Sequence, residues 1–263
     1  MNKWDPAFPE AFVSPDAELG AGVEIGPGSV VHAGVRLGDR ARIGPLCVVG
    51  QGAEAVGPTL IGDGATVRSH GVIYGGCELG KALETGHHVV IRDGTRAGEN
   101  LRVGNFSDIE GQCTIGDFCR FHGYVHIGRG STIGDFVWLY SLVTAMNDPL
   151  PPSEIEEPVT VDSGAVVCVG ATLMPGARIG MGAFICAGAT ASGEIPVGAV
   201  VAGPEGLVVN TVRRLIHLGT GLQHPWMNHL RRGFPPECHQ RLEALRCEIL
   251  ANCENGSLAG AGQ

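Results

Sequence analysis

One large aliphatic side chain recurs at every sixth position along most of this chain. In the middle of the sequence the run reads Ile61, Val67, Ile73, Leu79, Thr85, Ile91, Ala97, Val103, Ile109, Ile115, Phe121, Ile127, Ile133 and Leu139. Only Thr85 and Ala97 fall short of a full-sized apolar side chain. Four places after each stands a small or apolar residue, as at Ala65, Cys77, Val89, Ser107, Cys113, Cys119 and Val125. A glycine often follows the aliphatic, as in Ile61-Gly62, Ile115-Gly116 and Ile127-Gly128. No α-helix repeats at six, and a plain strand alternates at two. This period therefore predicts short flat strands separated by turns and coiled around a narrow core.

The same phase begins at Val13 and passes through Leu19, Ile25, Val31, Leu37, Ile43 and Val49. Ala55 keeps it across residues 51–60, so residues 13–139 read as one unbroken array. A single break follows, because Val161 stands four residues out of step with Leu139. The intervening residues 144–158 are rich in Pro and Glu and read as a loop extruded from the coil. A regular coil has no structural need for such a loop, which makes it a mark of function. The phase resumes at Val161, Val167, Leu173, Ile179 and Ile185, now with alanine in each small slot. After Gly203-Pro204 the pattern changes. Residues 208–218 are expected to form one helix, and Pro235-Pro236 to open another carrying Leu242, Leu245 and Ile249 on one face. The organisation expected is an irregular lead-in over 1–12, a coiled domain over 13–204, and a helical extension over 205–263 with a disordered end.

Composition narrows the function. The chain has 263 residues, 42 of them glycine, and only 5% aromatics, which suits a core of aliphatic and small side chains with glycine at corners. A net charge of -9 argues against nucleic acid as a partner. The sequence shows no membrane-spanning apolar run and no basic leader, so a cytoplasmic protein without a membrane partner is expected. Its 9 cysteines include no pair at CxxC spacing. Cys47, Cys77, Cys113 and Cys119 occupy small inward slots and read as buried core thiols.

The repeat resembles that of hexapeptide-repeat acyltransferases, whose fold is a left-handed parallel β-helix with three hexapeptides per coil. That resemblance spans residues 13–204 and implies an all-β protein, here with a short α-helical C-terminal extension. Thr85-Gly86-His87-His88-Val89-Val90-Ile91-Arg92 is similar to the TGHR-V-x-I-R segment of bacterial nucleotide-linked aminosugar N-acyltransferases. Arg120-Phe121-His122 is similar to their R-I-H segment, and Asn147-Asp148 to their T-N-D motif. The chain departs from that pattern at His88, Gly123, Arg129 and Tyr140-Ser141, where the family has arginine, serine, an acid and a Pro or Gly turn.

The resemblance implies an acyl-CoA co-substrate, most simply acetyl-CoA, a small-molecule acceptor, no metal, and a homotrimer with sites between subunits. It places the cofactor along Gly170, Ala171, Ala187, Gly188 and Gly203. Amide formation from a thioester needs a positioned amine, help with its proton, and oxyanion stabilisation. His122 follows an inward residue and is the candidate base, with Asn147 and Asp148 as the other catalytic candidates. A coil of eighteen residues would set Tyr140 beside His122 and Asn105 beside His87, so His87, Asn105 and Tyr140 are candidates for the acceptor groove. Glu110 is a weaker candidate, since an exposed carboxylate needs no partner. The expected reaction is acetyl transfer from acetyl-CoA to the amino group of a nucleotide-linked deoxysugar, with acyl transfer to another small amine or hydroxyl acceptor as the alternative. Two readings of other classes compete: a non-catalytic structural β-helix, and a zinc-dependent hydratase. The latter needs three converging histidines. His70 and His88 are one coil apart, but His87, His122 and His126 sit at other offsets and no third ligand joins them.

Overall fold

A residue pattern of one large inward side chain per six leaves room for only two or three extended residues before each corner. The computed structural model describes residues 10–223 and 233–253, and shows this outcome as a parallel β-solenoid of about ten turns. Each turn contributes one short strand to each of three sheets. In one representative turn Val90–Ile91 belongs to sheet I, Arg96–Ala97 to sheet II and Arg102–Val103 to sheet III. Neighbouring coils pair in parallel register eighteen residues apart, as Ile91 with Ile109, Ala97 with Ile115 and Val103 with Phe121. Most aliphatics at every sixth position are buried, including Ile61, Ile73, Ile91, Ile109 and Ile127, whereas Leu19 and Ile25 in the first coil are partly exposed. Each buried one is worth roughly 1.5–3 kcal/mol in apolar burial. The chain divides into two units, Met1–Ser131 and Thr132–Gln263.

The small inward slot does more than save space. Its hydroxyls and thiols satisfy turn carbonyls that no ladder reaches. The Cys47 thiol donates to the Arg68 carbonyl (3.1 Å), Cys77 to Arg92 (3.2 Å) and the Thr59 hydroxyl to Tyr74 (3.0 Å). Cys47, Cys77, Cys113 and Cys119 are buried, and burial pushes the Cys77 thiol up to about 12 and Cys113 to about 11. Those four are inert core thiols, as their slots predicted.

Three expectations require correction. Residues 13–139 are not one unbroken array, because Ala53–Val56 forms a short helix and Ala55 lies within it. Leu37 pairs with Ile61, twenty-four residues on, where a regular coil such as that from Ala97 to Ile115 pairs at eighteen. Six residues are thus ejected from the coil, a length that leaves the six-residue phase intact and so hides the insertion. The break after Leu139 is therefore the second, and it was visible because Leu139 pairs with Val167, twenty-eight residues on. Residues 208–218 are not a helix. Leu207–Thr211 runs antiparallel to Ala199–Ala202, followed by a 3-10 turn at Val212–Arg214 and a short strand at Ile216–His217. The exposed Leu207, Val208 and Val209 complete a sheet edge rather than a helix face.

The second expected helix is present at His239–Asn252, with Leu242 and Ile249 buried. It lies against a II/III corner of its own unit. A Cβ on Gly182 would meet Ile249 side-chain atoms at 2.6–2.8 Å, and Arg241 reaches Asp135 at 3.0 Å. The expected disordered end lies outside the described residues.

Candidate functional site

The corner between sheets III and I concentrates the unusual side chains of the first unit. Each turn there spans four residues, as at 68–71, 86–89, 104–107 and 122–125. The third residue takes a left-handed backbone: His70 at φ 61°, His88 at 56°, Phe106 at 57° and Tyr124 at 60°. Such a conformation costs a non-glycine residue on the order of 1–2 kcal/mol. The four rings stack coil upon coil, with centroids 4.4, 4.9 and 5.1 Å apart and planes within 15°. Stacking returns about 0.5–1.5 kcal/mol per pair, so the column's three pairs offset part of its backbone strain. The edges of Phe106 and Tyr124 remain about half exposed, at 49% and 56%.

His122 opens the turn that ends at Val125. The buried Ser107, one coil away, braces that turn: its hydroxyl donates to the His122 carbonyl (3.0 Å) and accepts from the Val125 amide (3.1 Å). Sequence reasoning recorded Ser107 as a small inward residue and did not foresee this role. The His122 ring is half-buried, and burial pushes its imidazole below the ordinary histidine value. It is therefore neutral at pH 7 and able to accept a proton.

His87 and Asn105 do meet, as their spacing predicted. The Asn105 side-chain carbonyl accepts the His87 amide at 2.8 Å, and the His87 ring nitrogen Nδ1 bonds the Ser69 hydroxyl at 2.8 Å. Asp39, Asp63 and Asp117 serve amides of other coils in the same manner. Asn105 thus belongs to a general turn-stapling device. Glu110 is not an isolated surface charge. With Asp108 and His126 it forms a cluster on the outer face of sheet I, with one ligating atom from each within 4.8 Å of the others. His126 Nδ1 stands 3.4 Å from Asp108 Oδ2, and that bond holds the imidazole above its usual value. Arg129 lies alongside. Its backbone amide bonds Glu110 Oε2 at 3.3 Å, and its guanidinium turns to Asp93 at 3.8 Å.

In the second unit, Tyr140, Cys168 and Cys186 each begin a III/I corner in the position equivalent to that of His122 in its own turn. Burial pushes the Tyr140 phenol up and holds it protonated. Burial and the neighbouring Cys186 push the Cys168 thiol up to about 11. Gly170 and Gly188 stand at the exposed crests of these corners with φ of 68° and 66°, and a Cβ on either would meet nothing within 4 Å. Ala187 is exposed beside Gly188, whereas Ala171 is fully buried as an inward alanine. Gly203 has φ 79°, with the Glu205 carboxylate 3.2 Å from where a Cβ would stand.

The extruded loop leaves sheet I after Thr144–Ala145 and rejoins sheet II at Thr160–Val161. The Asn147 carbonyl closes its neck by accepting the Glu157 amide at 2.7 Å. Asp148 is engaged within the loop. Its carboxylate accepts the Leu150 amide (2.9 Å), the Ser153 amide (3.1 Å) and the Ser153 hydroxyl (2.7 Å), which holds it below the usual carboxylate range. Among the described residues no helix is long and apolar enough to cross a membrane.

Residues 16–51 match the family described as bacterial transferase hexapeptide (six repeats). No curated protein matches the sequence. Among solved structures, the chain is similar to a UDP-N-acetylglucosamine acyltransferase from Arabidopsis, at 21% identity and a TM-score of 0.54 over 95% of this chain and 85% of that one. A UDP-N-acetylglucosamine acyltransferase from Campylobacter jejuni matches at 16% identity and a TM-score of 0.42, over 96% and 91%. The acetyltransferase domain of PglB from Neisseria gonorrhoeae matches at 19% identity and a TM-score of 0.23, over 76% and 57%. The Arabidopsis likeness shows the hexapeptide-repeat solenoid fold.

Proposed function

We propose that this chain is a CoA-dependent acyltransferase that moves an acetyl group from acetyl-CoA to the amino group of a nucleotide-linked deoxysugar. The observation that carries this reading is His122, a half-buried neutral imidazole on a turn braced by a buried hydroxyl. A general base must be neutral at working pH and held in place, and His122 meets both conditions. The matched transferase repeat and the fold shared with a UDP-N-acetylglucosamine acyltransferase support the reaction class.

In the mechanism proposed, the acceptor amine attacks the thioester carbonyl directly. His122 takes the proton that the amine loses, the tetrahedral oxyanion is held by backbone amides, and CoA leaves as its thiol after receiving a proton. A covalent acyl-cysteine is disfavoured: the Cys168 thiol, pushed up to about 11, is almost wholly protonated at pH 7. The open crests at Gly170 and Gly188, with Ala187 and Gly203, are the residues assigned to pantetheine. Buried Ala171 can contribute its backbone alone. His87, Asn105, Glu110 and Tyr140 remain the acceptor-side candidates, with Asn147 contributing from the loop and Asp148 holding that loop in shape. A homotrimer is the assembly that the family resemblance implies, and association at the III/I corner would cover the exposed edges of Phe106 and Tyr124.

Acetyl-CoA, the enzyme and a panel of nucleotide-linked amino and hydroxy sugars, followed by free-thiol release, test the reading. Release with amines supports it. Release only with hydroxyl acceptors favours O-acylation, a second reading motivated by Arg129, which stands where an acid was expected and pairs with Asp93. No release with any acceptor, and no thermal shift with CoA, would leave a non-catalytic solenoid.

A further inference from the structure

The cluster on the outer face of sheet I sets Glu110, an acceptor-side candidate, beside Asp108 and His126, two side chains to which acyl transfer gives no part. Asp108 and His126 are paired positions on adjacent coils, and Glu110 follows Asp108 by two residues on the same strand face. Side chains two apart on a strand, and directly across from each other on its neighbour, project to one side of a sheet. The solenoid thus delivers one imidazole and two carboxylates to a single point. It does so on rigid backbone, so little further ordering is needed to bring them together.

The donor set carries a definite chemical preference. Neutral imidazole suits zinc and its neighbours in the first transition series, and carboxylates suit the harder divalent ions. Metal–ligand bonds of about 2.1 Å to nitrogen and oxygen set the edge of a tetrahedron at about 3.4 Å. His126 Nδ1 and Asp108 Oδ2 are 3.4 Å apart, and the third donor lies within 4.8 Å, inside the reach of a side-chain rotation. The cations nearby are committed elsewhere: Arg129 pairs with Asp93, and Arg92 sits over the Tyr74 ring with its guanidinium carbon 6.0 Å from the centroid. Two carboxylates are left facing each other with an imidazole as their shared partner. Meanwhile the Arg129 amide bonds Glu110 Oε2 and orients that carboxylate, as groups behind metal ligands commonly do.

We infer that Asp108, Glu110 and His126 form a binding site for a divalent transition-metal ion of the zinc and cobalt class, with at least one coordination position open to water or an oxygen ligand. This site differs from the histidine set considered for a hydratase, since of those residues it uses only His126. Although Glu110 is shared with the acceptor-side candidates, the test stands apart from the transferase reading, because metal binding is measured without turnover.

Cobalt(II) titration of the purified full chain, followed by its visible ligand-field bands and by calorimetry, tests the inference. One ion per chain is expected. Asp108→Asn, Glu110→Gln and His126→Gln should each weaken binding tenfold or more while leaving far-ultraviolet dichroism unchanged. His88→Gln and Cys168→Ser should bind as the parent does, since cobalt held by the ring column or by thiols would be lost in them instead. The inference is overturned if the parent binds no stoichiometric cobalt, if His126→Gln binds it equally well, or if Cys168→Ser or His88→Gln abolishes it.

Discussion

Replacing Ser107 with Ala removes one hydroxyl from the wall of the solenoid and strands two backbone groups. The His122 carbonyl loses its donor at 3.0 Å, and the Val125 amide loses its acceptor at 3.1 Å. Ser107 and Val125 are each 1% exposed, so water has no direct route to the Val125 amide. Leaving a buried polar group unsatisfied costs roughly 1–3 kcal/mol. With some relaxation of the turn, the pair should cost about 2–4 kcal/mol. At about 2–4 °C per kcal/mol for a chain of this size, the thermal midpoint should fall by roughly 4–16 °C. Ser107→Cys should lose less than about 1 kcal/mol, since a thiol remains a donor; the fold itself uses cysteine in this slot at Cys47 and Cys77. Urea unfolding of both variants, at one fixed protein concentration, measures the difference. If Ser107→Ala lies within 0.5 kcal/mol of the parent, a threshold of about the scatter of neutral surface changes, the brace is not what holds the turn. A parallel loss of transferase rate in Ser107→Ala, restored in Ser107→Cys, would tie the brace to His122.

Three further outcomes are expected. His122→Ala should cut turnover by about a hundredfold or more, and the parent's kcat/KM should fall on an acid limb centred below pH 6.5, because burial depresses the imidazole; an unchanged rate removes His122 from the chemistry. Glu84 is held below its ordinary value chiefly by Arg68 at 2.7 Å, with Arg102 at 3.5 Å. Its stabilising contribution is therefore present above the unfolded carboxylate value and lost as pH falls through the lower folded value, so the stability gap between parent and Glu84→Gln should close in acid, and a gap constant with pH would refute the pairing. Gly182→Ala should loosen His239–Asn252, since the added Cβ meets Ile249 at a backbone φ of 63°; hydrogen exchange of that helix should rise, and unchanged protection would show that it docks elsewhere.

The six-residue period predicted short strands and turns coiled around a narrow core, and the family resemblance implied three hexapeptides per coil, which the three sheets match. Its blind spots have physical causes. An insertion of one whole hexapeptide, as at Ala53–Val56, cannot shift the phase, whereas the loop after Thr144–Ala145 adds ten residues and does. The spacing of Val208, Val212, Leu215 and Ile216 suited a helix, but the open edge of Ala199–Ala202 offered backbone partners that outweighed that preference. At the site, the eighteen-residue column correctly brought His87 to Asn105. It could not show that Asn105 spends its carbonyl on an amide, or that Asp148 spends its carboxylate inside its own loop, because those choices depend on side-chain rotamers. The Asp108, Glu110 and His126 cluster is legible by the same ruler, since Asp108 and His126 are eighteen apart and Glu110 shares the outward face of Asp108.

The short helix at Ala53–Val56 bears on how such a chain can change in length. A corner in a solenoid works as an address, counted from where winding starts. Six residues wound into the coil would advance every later side chain by one face, carrying the His70 to Tyr124 column, His122 and the Asp108 cluster each to a different corner. The same six residues, pushed out as a helix, leave all those addresses unchanged, as the renewed pairing of Leu37 with Ile61 shows. Length can therefore be gained or lost at this point without relocating any functional group, whereas a hexapeptide accepted into the winding would rewrite the surface from there onward.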